Sequence, residues 1–401
     1  MTESIGLAQN AHAALDPFGD AFLSDPYPYH EKLRNAGPLV FIEAYDAWAT
    51  GRHEVISQIL SNHQAFCSGR GVGLANFARE KPWRKPSLLL ETDQPAHTVN
   101  RAVISRALSP RVQRELREGI EDHAAKFVEE TVHRSTVEAV DEFCIRFPLK
   151  VFADAVGVPE VGREHLIAYG NMVFNTMGPK NDHYHRAMEN HEEVIDWVSN
   201  ACLRSSLRPG GLGAMIYRAS DAETIDEASA ALIVRSFLSA GIDTTAAATA
   251  NLLFLFAQHP EQWTKLKQDP SLTRNAIEEV LRLESPFQMF FRTTTETVVI
   301  DGVQLAENEK VLLSLGAANR DPRCWTQPEK FDITRKTTGH LAFGMGIHGC
   351  VGQMLARLEL EVLATALLKR VTTFEMQGAP VWLQHNTLRT LKKLPLRFVS
   401  D

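Results

Sequence analysis

Cysteine is scarce in this chain: five in 401 residues, none at Cys-x-x-Cys spacing. Their odd number and wide scatter (Cys67, Cys144, Cys202, Cys324, Cys350) argue against a disulfide framework and fit a reducing compartment. Long apolar runs are missing as well. No stretch approaches the roughly 20 uninterrupted apolar residues of a bilayer-spanning helix. The start of the chain shows no basic segment leading into an apolar one, so the expectation is a soluble, cytoplasmic protein with no secretory leader and no membrane partner. An excess of positive charge is also lacking. Lys+Arg total 42 against 49 Asp+Glu, a net charge of −7, which leaves no electrostatic footprint for nucleic acid. Internal repeats, low-complexity tracts and Gly/Ser linkers are absent.

What is present is ordinary globular composition, 44% hydrophobic and 23% charged, which excludes disorder. Strand signals are short and sparse, as at Val298-Val299-Ile300 and Val311-Leu312-Leu313. Helical periods dominate, over 101–132, 187–203, 226–258, 272–283 and 351–370. The pattern predicts a mainly α fold with small β-sheets attached, an α+β arrangement. The longest period, 226–258, begins after Thr224-Ile225-Asp226-Glu227, which has capping-box spacing, and stops at His259-Pro260. Apart from Arg235 and Asp243 it is apolar, small or hydroxylic on every face, so it belongs in the centre of the protein. At 1.5 Å per residue it would run about 50 Å, the width of a domain. One domain over 1–401 follows, with roughly the first fifteen residues as a flexible N-terminal segment.

Inside that helix stands Ala240-Gly241-Ile242-Asp243-Thr244-Thr245. Glycine in a helix interior costs about 1 kcal/mol against alanine. A carboxylate in an apolar helix is expensive unless paired or hydrated, and hydroxyls capture backbone carbonyls. Three such faults together mark a functional site more readily than a satisfied core group. The pattern points to a distorted turn that holds water beside a reactive centre.

Residues 343–352 read Phe343-Gly344-Met345-Gly346-Ile347-His348-Gly349-Cys350-Val351-Gly352 and lead into a strongly periodic helix. Gly344-x-Gly346-x-x-Gly349 matches the dinucleotide-binding fingerprint, but only 52 residues follow Gly349, too few to complete a doubly wound sheet. A zinc site would need further Cys or His ligands, and only His348 is near. A cysteine at a helix start meets free backbone N–H groups and the positive end of the dipole, both of which favour thiolate. Glycines beside it let the backbone pass close under a flat ligand. Thiolate bound to haem iron donates electron density that favours O–O cleavage.

This run resembles the haem-thiolate signature of cytochromes P450, Phe-x-x-Gly-x-x-x-Cys-x-Gly. The Ala240–Thr245 run is similar to the family's oxygen-activation segment, and Glu279-Val280-Leu281-Arg282 to its Glu-x-x-Arg. The resemblance implies haem b, with Cys350 as the axial ligand of the iron and Asp243 and Thr244 as the catalytic proton-delivery pair. It places His97 and Arg101, from the Asp93–Arg101 stretch, on the haem carboxylates together with Arg292 and His348. It also implies a structural cluster of Glu279, Arg282 and Arg335. Within the family, Arg70–Leu74, Lys81–Ser87 and Leu232–Ser239 look like bacterial enzymes that oxidise para-substituted benzoates, notably 4-methoxybenzoate O-demethylases. That likeness puts Arg84, Ser87, Arg235 and Ser236, assisted by Ser239, around a substrate carboxylate, and Leu90, Phe174, Ala240 and Phe290 along the ring. Two positions depart from the pattern. Met177 stands where a second aromatic is usual, and Phe287, a further substrate contact, where a smaller aliphatic is usual.

Helix geometry supports part of this. Ser236, Ala240 and Thr244 recur at i, i+4 and i+8 on one face, whereas Arg235 lies about half a revolution from Thr244. No reductase domain fits in the chain. The expected partners are therefore a small aromatic carboxylate, O₂, and a [2Fe-2S]-type ferredoxin with its NAD(P)H-dependent reductase. Arg101, Arg106, Arg111, Arg114 and Arg117 would offer a basic face to the ferredoxin. A peroxide-driven peroxygenase and a non-catalytic haem-thiolate sensor are the competing readings.

Overall fold

The computed structural model describes residues 15–400. Of the expected flexible N-terminal segment, residues 1–14 lie outside the described residues, while Leu15 is buried. Eight helices frame the site: α1 (Ala96–Ala107), α2 (Pro110–Val132), α3 (Arg146–Val156), α4 (Glu164–Asn175), α5 (Glu227–Leu238), α6 (Asp243–Gln258), α7 (Thr273–Glu284) and α8 (Gln353–Arg370). The largest sheet holds β1 (Val40–Ile42), β2 (Ala47–Thr50), β3 (Phe66–Cys67), β4 (Met289–Thr294) and β5 (Lys310–Ser314) in the order β1-β2-β5-β4-β3. Only the β2–β5 pairing is parallel; the others are antiparallel. Smaller two- and three-stranded sheets sit elsewhere. Every residue of β4 is buried, and Arg292 on it pairs in register with Val311.

The centre belongs to α6. Residues 245–256 are buried on all faces, and the helix packs against α7, α8 and the 390–393 strand. Residues 227–258 are long and apolar enough to cross a membrane, yet 72% of their most apolar window is buried inside the protein, as for a core helix.

Several expectations need correction. The 101–132 period is two helices, because Ser109 is extended (ψ 153°) ahead of Pro110, the conformation a following proline favours. The 187–203 period starts only at His191, after Asn190 in the left-handed region (φ 56°). The cap of α5 is Asp226, whose carboxylate accepts from Ser229 N–H at 2.6 Å; Thr224 does not supply it. Most consequentially, 226–258 is interrupted at Ser239–Ile242, leaving α5 and α6 as separate segments.

The cause of that interruption lies in its own side chains. The Thr244 hydroxyl donates to Ala240 O at 2.7 Å and the Thr245 hydroxyl to Gly241 O at 3.0 Å. These hydroxyls satisfy carbonyls exposed by the break. Gly241 faces the Phe152 ring of α3 so closely that a Cβ there would collide with it.

Candidate active site

A cavity opens between the α5–α6 break and the Phe343–Leu360 segment. Ser236, Ala240 and Thr244 line it from either side of the break, and Cys350 lines it too. Arg84, Ser87, Leu90, Arg101, Phe174, Phe287, Phe290, Arg292 and His348 also reach it. The structure thus gathers most of the predicted residues from segments up to 266 positions apart (84 to 350). Outside the lining fall His97, Arg235, Asp243 and Met177, and with them the structural residues Glu279, Arg282 and Arg335.

Asp243 turns from the cavity toward α4, where its carboxylate lies against Gly170 with no room for a Cβ between them. Burial pushes its pKa up to about 8, and no hydrogen-bond partner is found among the described residues. Thr244 stays on the cavity side. Since its proton is committed to Ala240 O, its oxygen faces the cavity as an acceptor.

Cys350 is held by its own N–H, which donates to Phe343 O at 2.8 Å. Burial raises its pKa, against the pull of the Gly352 and Gln353 N–H groups and of Arg101 and Arg357. The helix start therefore acts as expected, but burial outweighs it. Gly346 has φ 70° and lies against Leu60 O, so no side chain fits.

Beside Cys350 the buried polar groups lack partners. Arg292 is buried without a carboxylate; its Nη1 donates to Phe291 O at 3.0 Å, and its cation lies 4.6 Å from the Phe290 ring centroid. Burial pulls its pKa down to about 10. His97 and His348 stand with ring centroids 4.2 Å apart, each with a buried Nε2 that has no partner. Burial, followed by Arg292 and His97, lowers the His348 pKa to about 3, so at neutral pH the ring is uncharged.

At the opposite end, Ser87 Oγ lies 2.9 Å from Ser236 Oγ, and Phe287 stacks on Phe290 (5.6 Å, 9°) with Phe174 edge-on to Phe287. Arg235 points away, its Nη2 donating to Lys85 O at 2.6 Å, which agrees with its place half a turn from Thr244. Met177 packs under the 71–74 loop instead of along the ring slot, accepting from Leu74 N–H at 2.8 Å. Met177 is thus not among the cavity-lining residues, whereas Phe287 is.

Beneath the cysteine side, Glu279 accepts from Arg282 at 2.7 and 3.0 Å and from Arg335 Nε at 3.0 Å. Glu279 and Arg282 are fully buried, so this pair differs from the exposed i,i+3 pair its spacing alone describes.

The residues match known proteins along almost their whole length. The cytochrome P450 family model matches residues 182–397. Cytochrome P450 CYP199A2 of Rhodopseudomonas palustris is 45% identical, covering 96% of this chain and 94% of the relative. The chain belongs to the cytochrome P450 family. Cytochrome P450 107B1 of Saccharopolyspora erythraea is 32% identical over 95% of this chain and 96% of its own length. Among solved structures, P450BioI in complex with hexadec-9Z-enoic acid-ligated acyl carrier protein has a TM-score of 0.84 at 28% identity, covering 94% of this chain and all of that one.

P450 proteins are monooxygenases that bind haem b and use O₂ with redox partners. The residues of this P450 fit that group. A buried guanidinium with no carboxylate partner among the described residues and two imidazoles with unpartnered Nε2 atoms are donors for acidic side arms, and a half-buried thiol lines the same cavity. Sequence reasoning missed Glu359, a buried cavity-lining carboxyl with an unpartnered Oε2, although Leu358-Glu359-Leu360 in an apolar helix was a visible signal. It also missed Glu91, which no local pattern marks.

Proposed function

We propose that this P450 oxidises para-substituted benzoates in the cytoplasm, with O-demethylation of 4-methoxybenzoate as its reaction. The observation that carries the reading is the shared cavity wall of Ser236, Ala240 and Thr244, which spans the α5–α6 break. It sets hydroxyls at one end of the cavity and the oxygen-handling turn at the other, with an aromatic slot between. Resemblance of the Arg70–Leu74, Lys81–Ser87 and Leu232–Ser239 segments to benzoate-oxidising family members supports the same substrate.

In this reading Cys350 would hold the haem iron through its sulfur, since metal coordination removes a thiol proton outright. Arg292, Arg101, His97 and His348 donate to the haem propionates. Bound haem supplies the activation of O₂ and the abstraction of hydrogen from the methoxy carbon. The chain does the rest. Phe174, Phe287, Phe290, Leu90 and Ala240 confine the ring so that the para group points toward Cys350. Ser87 and Ser236, with Arg84 behind them, receive the carboxylate. Asp243 keeps its proton at neutral pH and is the donor, and the Thr244 oxygen accepts a hydrogen bond on the cavity side and holds the proton path in line. Arg235 braces the 85–86 backbone. Glu279, Arg282 and Arg335 hold the cysteine side in place.

The balance is 4-methoxybenzoate, O₂, two electrons and two protons giving 4-hydroxybenzoate, formaldehyde and water. A [2Fe-2S] ferredoxin and its NAD(P)H-dependent reductase supply the electrons. Exposed Arg106, Arg111 and Arg114 are available to the ferredoxin, whereas Arg101 turns inward toward Cys350. The test is turnover of 4-methoxybenzoate by the reconstituted chain. Equimolar formaldehyde and 4-hydroxybenzoate are expected, and neither product from this or other para-substituted benzoates would overturn the assignment.

A further inference from the structure

Bonded to the lining residues Arg84 and Ser87, though not itself in the lining, is a carboxylate that the substrate reading leaves unused. Glu91 is buried and receives both arms of Arg84, Nη1 donating to Oε2 at 2.9 Å and Nη2 to Oε1 at 3.3 Å. Oε2 also accepts from Ser87 N–H at 2.7 Å. The side chains are only 11% (Arg84) and 6% (Glu91) exposed, so the pair is desolvated and its geometry is tightly set. A carboxylate arriving from a substrate meets a cation whose fork is already closed.

The neighbouring donors are spent in the same way. Leu89 and Leu90 N–H point at Ser87 Oγ (3.3 and 3.1 Å). Ser236 Oγ donates to Leu232 O at 2.9 Å, so the proton between the two serines belongs to Ser87. The Ser239 hydroxyl goes to Ser236 O, and Arg235 to the carbonyls of Lys85 and Pro86. Arg84 Nε remains a buried donor without a partner.

We propose that Glu91 sets the head-group preference of this pocket. It occupies Arg84 as a built-in carboxylate, lowers the affinity for aromatic acids, and leaves uncharged head groups of the same shape nearly as well received. Rotation of Ser236 away from Leu232 frees a donor for either kind of ligand, but only an anionic one is repelled by Glu91. The inference rests on the reading above, in which the substrate head group lies against Ser87 and Ser236.

The test is titration of the holoenzyme with 4-methoxybenzoate and 4-methoxybenzamide, followed by the Soret shift and by calorimetry. Glu91→Gln should tighten 4-methoxybenzoate by at least about tenfold and move 4-methoxybenzamide by less than about threefold, because only one ligand feels the removed charge. Unchanged or weaker benzoate binding in E91Q overturns the proposal. If E91Q does not fold, R84Q and the double variant R84Q/E91Q decide. R84Q leaves Glu91 unopposed and should lose benzoate affinity by at least about tenfold, and the double variant, which strands no charge, should restore it to near the wild-type value. A double variant as weak as R84Q overturns the proposal. Failure of the substrate reading itself looks different: neither ligand binds any of these proteins, and the proposal falls with it.

Discussion

Two sets of buried charged groups in this P450 are built on opposite rules. The Glu279–Arg282–Arg335 cluster is closed. Both Glu279 oxygens are bonded, and Arg282 and Arg335 spend their remaining donors on the carbonyls of Asn319, Pro328, Thr326, Gln327 and Lys330. Around the cavity, Arg292, His97, His348 and Asp243 are left open. Burial without partners costs the fold free energy, so such groups persist where something else engages them. A closed buried cluster is scaffold, and an open one marks where chemistry is done.

Removing one member of each cluster separates the two rules. Glu279→Ala strands two guanidinium groups and should cost about 3–5 kcal/mol of stability, read from urea unfolding. A loss below about 1 kcal/mol would break the contrast. Arg292→Met should act oppositely. The apoprotein should unfold at no lower urea concentration than wild type, while haem affinity falls by about 2–5 kcal/mol, measured as haem retained per polypeptide. Equal loss of fold and haem would put Arg292 among the scaffold groups.

Asp243→Asn probes both terms in one residue. The native carboxyl holds its proton up to about pH 8, whereas an unfolded one loses it near pH 4. Between those values the native state binds more protons, so stability falls as pH rises. The variant lacks this loss: its thermal midpoint should match wild type near about pH 4 and exceed it near about pH 8, while product formed per NADH falls by about tenfold or more. A midpoint difference that does not grow with pH would refute the buried proton. The smallest effect belongs to Ser236→Ala, which deletes a hydroxyl already bonded inside the protein. It should weaken 4-methoxybenzoate by about 1 kcal/mol, near fivefold, in a Soret titration.

Legibility followed the range of the forces involved. The Cys350 loop, the Glu279–Arg282 spacing and the Ala240–Thr245 run are local patterns that a short window of sequence displays. The Ser236, Ala240 and Thr244 face was also readable, because a helix period needs no partner. Boundaries were less so. The 226–258 period read as one helix with a distorted turn at Ala240–Thr245, whereas the helix stops at Leu238 and restarts at Asp243.

The residue types, their order and their helical phase were determined by the sequence alone, and with them the mainly α architecture and the cysteine that names the family. Whether a charge is free or taken was decided by the tertiary structure. Arg84 is answered by Glu91, Arg235 by two carbonyls, and Arg292 by no carboxylate at all. The reason is physical. A side chain's charge is written in its chemistry, but its partners and its solvent are set by packing between segments far apart in the chain, on which no local pattern bears.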